Sequence, residues 1–348
     1  MPKSEPQFII PFAKPSGITS FTSLWQVKHT LGTKKVGHTG TLDSFADGLL
    51  VLLSGKLTKL VPYITDFDKT YRVLFYFGKE TDTLDPEGTV IGEKPLPVYA
   101  DVVSAIRQLT GTIEQVPPVY SAVKQAGERL SDRIRRGETV TVPPRTVTIY
   151  SIDIEEMFYA PEPDTNRENP EMSAVRKVLG AVLCVRCSKG TYIRSLVRDI
   201  AHRCGSAAYV YALRRTAVGP FTLEQAAGFS ALPPFGNAAA YAVNADSTDT
   251  PSDCADSADV PHSVPDEAIK QAALPLSEAI ARAMHFQTAV LKEQYYAAFM
   301  NGKPISGHWF TSAQPLSDDG TTAVFYEGRC AGLITKNGSR FHYQIGNL

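Results

Sequence analysis

Residues 231–270 read ALPPFGNAAAYAVNADSTDTPSDCADSADVPHSVPDEAIK. A run so rich in Ala, Ser, Asp and Pro, with little apolar periodicity, offers no continuous face for a core. It divides the 348-residue chain into parts that must each bury their own apolar surface. The expected organisation is a body over 1–230, an acidic low-complexity linker or insertion over 231–273, and a C-terminal piece over 274–348. A smaller break, APEPDTNRENPEM at 160–172, reads as a surface loop between two strands.

The same stretch hides the charge balance. The chain carries a formal charge of −1, yet residues 186–215 hold seven Lys and Arg against one Asp. Residues 14–59 hold six Lys against two Asp, while 231–270 hold seven acids against one Lys. Charges screen one another within roughly 10 Å, so a basic body survives the acidic total. Apolar residues make up 43%, enough for a sizeable core. The start, MPKSEPQFIIPFAKPSG, has too short an apolar run for a signal peptide, and LLVLL is too short to span a bilayer. The expectation is a soluble, cytoplasmic protein.

Five cysteines argue against a disulfide framework. Cys184, Cys187, His202 and Cys204 can be drawn as a zinc site, but AVLCVRC alternates as a strand and sends Cys184 and Cys187 to opposite faces.

Within the body, Ser20 is placed to cap a helix carrying Phe21, Leu24, Trp25, Lys28 and Leu31 on one face. LLVLL reads as a buried strand, followed by one helix face of Leu57, Leu60, Val61 and Ile64. YRVLFYF alternates, with Tyr71, Val73, Phe75 and Phe77 on one side. VTIYSIDI and AVLCVRC are further strands, and 191–203 a helix. Strands and helices mix without a βαβ period. The fold class is therefore α+β, a mixed, largely antiparallel sheet with flanking helices. VFYEG, AGLITK and FHYQIG suggest a small β-rich barrel at the C-terminus.

Five stretches occur in order: GHTGTLDSFADGLL, DKTYRV, QVPPVYSAVKQAGERL, CSKGTYIRSLVRDI and YALRRTAVGPF. Over about residues 8–225 they resemble TruB-type tRNA pseudouridine synthases. The resemblance implies the pseudouridine synthase fold and an isomerisation: a T-loop uridine of tRNA, conventionally numbered 55, is flipped out, cut from its ribose and rejoined through carbon. It implies no cofactor and no metal, and tRNA as partner through its T-arm; the sequence itself suggests no membrane association and no permanent protein partner, so a monomer is expected.

The resemblance also assigns residues. Asp43 matches the catalytic aspartate, which can add to the uracil ring or ribose, or take a ribose proton. Taken alone, an Asp in such a turn more often bonds its own backbone. Tyr71 matches a tyrosine that stacks on the flipped base and whose oxygen can take the C5 proton. Arg194 matches the arginine paired with the carboxylate. Local physics agrees, because a cation in the first turn of a helix needs a compensating anion. Tyr192 and Leu213 match pocket residues, although both residue types are equally at home in a core. His38 matches the histidine inserted beside the flipped nucleotide, filling space rather than moving protons. Arg198 shares the face of Arg194 and is either a phosphate contact or solvated surface. Residues 124–145, with six Lys and Arg against three acids, look RNA-facing. NGKPI and EGRCAGLITK resemble a PUA domain, a small RNA-binding barrel.

The chain departs from the family twice near Asp43. Ser44 replaces the usual Pro, which loosens the turn. Asp47 replaces the usual Thr and is expected to face solvent or cap a backbone N–H. Two rival functions are a tRNA-folding module with an idle site and a hydrolytic glycosidase with paired carboxylates. Pseudouridine, no product or free uracil from unmodified tRNA would separate the three.

Overall fold

The computed structural model describes residues 5–120, 124–125, 128–129, 136, 142–161, 175–236, 264–312, 315–318 and 320–348. Most of the basic stretch 124–145 and the centre of the acidic segment therefore lie outside the described residues.

Among the described residues, nine strands build one sheet. They are β1 (Ile9–Lys14), β2 (Val36–His38), β3 (Asp47–Ser54), β4 (Lys69–Phe77), β5 (Gly111–Gln115), β6 (Arg145–Tyr159), β7 (Val178–Cys187), β8 (Ala208–Val218) and β9 (Phe221–Thr222). The order is β1-β3-β8-β4-β7-β6-β5, with β2 beside β3 and β9 beside β8. All pairs are antiparallel except β3 with β8. The helices are α1 (Ser20–Leu31), α2 (Val61–Thr65), α3 (Tyr99–Leu109), α4 (Ile193–Arg203) and α5 (Asp266–Gln271), with a shorter pair later in the chain.

The run DGLLVLLS of β3 is buried at every position because it serves two cores. Leu50 and Leu52 meet Leu24 and Val27 of α1 and Ile269 of α5. Leu49, Val51 and Leu53 meet Phe286, Phe325 and Leu333 of the C-terminal piece. A strand buried on both faces shows no alternation, which is why LLVLL is unbroken. β4 does alternate as expected: Val73, Phe75 and Phe77 join Leu196, Val197 and Ile200 of α4, with Tyr71 packed against them. The expected helix over 191–203 begins at Ile193. The face expected of Leu57, Leu60, Val61 and Ile64 belongs to a 3₁₀ turn leading into α2, with Val61 only part-buried.

α1 differs from expectation in cap and face. Thr19 is the N-cap, its oxygen accepting from the Thr22 N–H at 3.1 Å. Ser20 is buried inside the helix, where its Oγ bonds both Leu42 O and Leu42 N at 3.0 and 2.9 Å. The buried stripe is Ser20, Ser23, Leu24 and Val27, while Phe21 and Trp25 are 72% and 70% exposed. The aromatic residues repeat at helical spacing, but the two small serines fit against the neighbouring loop where rings could not.

Five strands form the C-terminal sheet: β10 (Gln287–Leu291), β11 (Phe310–Thr311), β12 (Thr321–Tyr326), β13 (Arg329–Asn337) and β14 (Arg340–Gly346), in the order β11-β10-β12-β13-β14. Lys56 Nζ of the body donates to Gly346 O and Asn347 O at 2.9 and 2.7 Å. Of the acidic segment, Val264 and Ile269 are buried against β1 and α1, and Ile9 pairs with Leu274.

At the centre of the sheet, β3 and β8 run parallel for two pairs, Asp47 with Arg214 and Gly48 with Arg215. The approach is close. A Cβ on Gly48, whose φ is +107°, would lie 2.4 Å from Arg215 O, so only glycine fits. Asp47 neither faces solvent nor caps an N–H. It is 9% exposed and takes both arms of Arg214, Nε to Oδ1 at 2.7 Å and Nη2 to Oδ2 at 2.6 Å. A carboxylate this buried needs a full countercharge, and the fork of arginine supplies it. Arg214 also donates to Pro233 O at 2.8 Å and lies 5.3 Å from the centre of the Phe235 ring, fastening the start of the acidic segment. Arg214→Ala would strand Asp47 in the core. Urea unfolding should show a loss of about 3 kcal/mol, against less than about 1 kcal/mol for removal of an exposed pair such as Lys79–Glu93.

Candidate active site

The loop from Thr39 to Ala46, between β2 and β3, carries Asp43 and is tied down from all sides. Arg215 Nη2 donates to Gly40 O at 3.2 Å, its Nη1 to Thr41 O at 3.4 Å and its Nε to Leu49 O at 2.8 Å. Ser20 holds Leu42. Ser44 O accepts from Gly17 N at 2.8 Å and from Lys14 Nζ at 3.3 Å. Lys14 is fully buried, and burial pushes its ammonium down to about 8, with Asp47 and Asp43 pulling the other way. Ser44 Oγ bonds both oxygens of Glu87, at 2.8 and 3.0 Å. The missing proline is thus offset by a side-chain tether, and the turn is not loosened.

Asp43 projects from this frame toward α4. Its Oδ2 lies 2.9 Å from Arg194 Nε, and its side chain keeps 38% exposure while that of Arg194 keeps 6%. The remaining donors of Arg194 are also engaged. Nη1 reaches Thr83 O at 2.7 Å and Asp85 Oδ2 at 2.8 Å, and Nη2 reaches Tyr120 O at 3.1 Å. Arg194 is the second residue of α4, where the helix dipole opposes a cation, and two carboxylates outweigh that penalty. Burial pushes the Asp85 carboxyl up, opposed by the Thr83 hydroxyl, Arg194 and the Glu87 N–H. Asp85 follows Leu84, which holds a left-handed φ of +62° although it is not glycine. Strain of this kind persists only where the surroundings fix the backbone.

Tyr71 sits where β4 meets β7 and β8, paired with Val185 and Arg215. Its ring packs on the main core. Desolvation of its hydroxyl raises its pKa, with the Arg215 guanidinium beside it acting in the opposite sense and the Asp43 charge reinforcing the rise. Leu213 is 6% exposed in the same cluster as Leu42, Ala46 and Val73. The structure therefore gathers Asp43, Arg194, Tyr71 and Leu213. No hydrogen bond or ion pair joins His38 or Tyr192 to Asp43 among the described residues. His38 closes β2 opposite Leu52, its Nδ1 without a partner among the described residues. Burial, and secondarily Arg215, lowers its pKa, so the ring is neutral at pH 7. Tyr192 caps α4, its N–H donating to Gln115 Oε1 at 2.8 Å and its carbonyl accepting from Gln115 Nε2 at 3.2 Å. Arg198 is not a free phosphate contact: it bonds Asp199 at 2.8 Å and Val116 O at 3.0 Å.

Asp85, Arg215 and Lys14 are the site residues that sequence reasoning missed. TLDPEG reads as an ordinary turn. The usable signal was Arg194 itself, whose five donors exceed what one aspartate can accept. Arg214 and Arg215, adjacent in a strand, had to point to opposite faces and so needed separate partners.

Cys187 lies in the core, where burial pushes its thiol up to about 12, while Cys184 on the other face is part-exposed. Among the described residues no group of His, Cys, Asp or Glu is arranged to hold a metal ion. No helix there is long and apolar enough to cross a membrane.

The model of the TruB family pseudouridylate synthase N-terminal domain matches residues 28–193. A tRNA pseudouridine synthase B of Treponema pallidum is 42% identical over 363 aligned positions, covering 98% of this chain and 97% of that protein. Another, from Treponema denticola, is 52% identical over 225 positions, 64% of this chain and 63% of that protein. Among solved structures, a Cbf5–Nop10–Gar1 complex contains a chain that superposes with a TM-score of 0.58 at 21% identity, covering 97% of this chain and 84% of that one, a likeness of fold alone. Similarity at this level along nearly the whole length places the chain in the TruB family of pseudouridylate synthases.

Proposed function

We propose that this protein converts uridine to pseudouridine in tRNA, at the T-loop uridine conventionally numbered 55, with Asp43 as the essential carboxylate. The observation that carries the proposal is the chain Asp43–Arg194–Asp85, in which a buried guanidinium aims one open carboxylate at solvent. Treponemal relatives bear the name of this activity.

The reaction is an isomerisation. The bond from N1 to C1′ breaks, a bond from C5 to C1′ forms, C5 loses a proton and N1 gains one. Nothing is oxidised and no group is lost, so this chain's own residues suffice for it. Arg194 pairs directly with Asp43 and fixes its direction. The exposed side of Asp43 meets the flipped uridine. Tyr71 supplies a ring on which the base stacks. Because burial keeps Tyr71 a phenol, its oxygen takes the C5 proton only as its own proton passes to water, and water returns one to N1. His38, neutral at pH 7, fills the space the base vacates. Leu213 and Tyr192 wall the pocket. The C-terminal sheet is the PUA-like unit, holding RNA away from the site, and 231–273 joins the two.

Three variants test these roles on unmodified tRNA, with pseudouridine located by chemical mapping. Asp43→Asn should fold and bind tRNA like the parent yet lose turnover by about a thousandfold or more; parental turnover would sink the assignment. Tyr71→Phe keeps the ring and loses the oxygen, so kcat should fall by at least about 100-fold if the relay operates. His38→Ala should raise KM several-fold, roughly the effect of losing one packed contact, and leave the shape of the pH–rate profile between pH 5.5 and 8 unchanged. A shifted limb would show that the imidazole titrates in the mechanism.

A further inference from the structure

One face of α1 is left uncovered by the described residues. Phe21, Trp25 and His29 follow one another at intervals of four residues, with Lys28 beside them, so all four share one side of the helix. Trp25 and His29 stack with centroids 5.6 Å apart and planes 8° apart, leaving the other face of the indole open. Lys28 Nζ lies 5.8 Å from the Phe21 ring centre. Two large rings more than two-thirds exposed on one helix exceed the scattered single exposures normal for a protein surface.

The chemistry around the rings narrows what they meet. α1, SFTSLWQVKHTL, contains no acid, and exposed Lys34 and Lys35 follow its end. Lys28, Lys34 and Lys35 form no ion pair among the described residues. Two acids stand close by: Asp266 bonds Thr30 on a different side of the helix, and Glu5 bonds Thr33, just before Lys34. The stripe is interrupted by polar Thr22, Lys28 and His29, so it lacks the continuous apolar centre of a protein–protein interface. Open ring faces alternating with uncommitted cations are the pattern that holds bases and phosphates of a strand. The start of the helix adjoins the site. Ser20, next to Phe21, holds Leu42 of the Asp43 loop, and α1 packs on β2, which ends in His38.

We infer that this face of α1 is a second contact for the RNA substrate: Phe21 and Trp25 stack unpaired bases beyond the target uridine, and Lys28, Lys34 and Lys35 meet the adjoining phosphates. The inference rests on the proposed RNA-modifying function. Neither ring belongs to the core, so Phe21→Ser and Trp25→Ser can be combined without opening a cavity.

The test uses the full-length protein and unmodified tRNA. Only Trp25 and the buried Trp309 contribute indole fluorescence. Adding tRNA should quench the parent's emission and shield it from acrylamide, and both effects should vanish in Trp25→Phe. The double serine variant should keep the parental circular dichroism and melting temperature while its KM for tRNA rises about tenfold. Unchanged KM and tRNA affinity in that variant would overturn the inference. So would a loss of self-association in sedimentation with tRNA affinity intact, which would assign the face to a second copy of the chain. A parent that shows the Trp25 response but makes no pseudouridine would refute the proposed function and leave the contact standing. A parent that makes pseudouridine while the double variant matches it in every measurement would refute the contact alone.

Discussion

The buried guanidinium of Arg194 is the charge around which the site is assembled. At 5% exposure it has given up its hydration, and a cation in that position persists only if its donors find acceptors. It finds four, on three separate segments: Asp43 from the loop before β3, Thr83 and Asp85 from the turn after β4, and Tyr120 beyond β5. None of these segments is close to α4 in sequence. The ion network therefore does what apolar packing cannot, because it sets direction as well as proximity. The two carboxylates differ in consequence. Asp85, at 4% exposure, serves Arg194, and burial raises its pKa. Asp43 remains open to solvent on one side. One acid orients the cation, and the cation orients the other acid.

A second pair of arginines makes that orientation durable. Arg214 and Arg215 occupy successive positions of β8 and so leave the strand on opposite sides. Arg214 locks Asp47 to the sheet, and Arg215 takes three carbonyls around the Asp43 loop. Together they fasten both ends of a segment whose middle must stay exposed. The short parallel contact between β3 and β8 brings them there, and Gly48 permits it by having no side chain. A loop held by backbone acceptors loses little order when substrate enters, which is the condition for a reactive group to be in place before reaction.

The parts legible in the sequence were those fixed by local pattern. β3 declared itself by an unbroken apolar run and β4 by alternation. Asp43, Tyr71 and Arg194 came from the resemblance of ordered motifs, and the geometry brings those three together. What pattern could not supply was phase and long-range charge. The periodicity of α1 is genuine, yet Phe21 and Trp25 face outward while Leu24 turns inward, and Ser20 rather than a ring meets the loop. Asp47 looked like an unexplained second acid until the fold set Arg214 opposite it, a partner 167 residues away. Asp85 was hidden in a stretch that any turn might contain. In each case the deciding partner lay far off in the chain, where no window of sequence reaches it.

The open side of Asp43 also limits what the site can do unaided. Extracting a base from a folded RNA costs a few kcal/mol of stacking and pairing, and a single carboxylate does not return it. Tyr71 can recover part of that by stacking, and neutral His38 part by occupying the gap. The rest must come from RNA held outside the pocket, since binding energy gained remotely can offset distortion at the reacting centre. A chain with formal charge −1 seems poorly equipped for this until its charges are placed. Lys14, Arg194 and Arg215 bear directly on the Asp43 loop, and attraction to phosphate is decided within about a Debye length. At that range local placement, rather than net charge, governs how strongly RNA is drawn to the site.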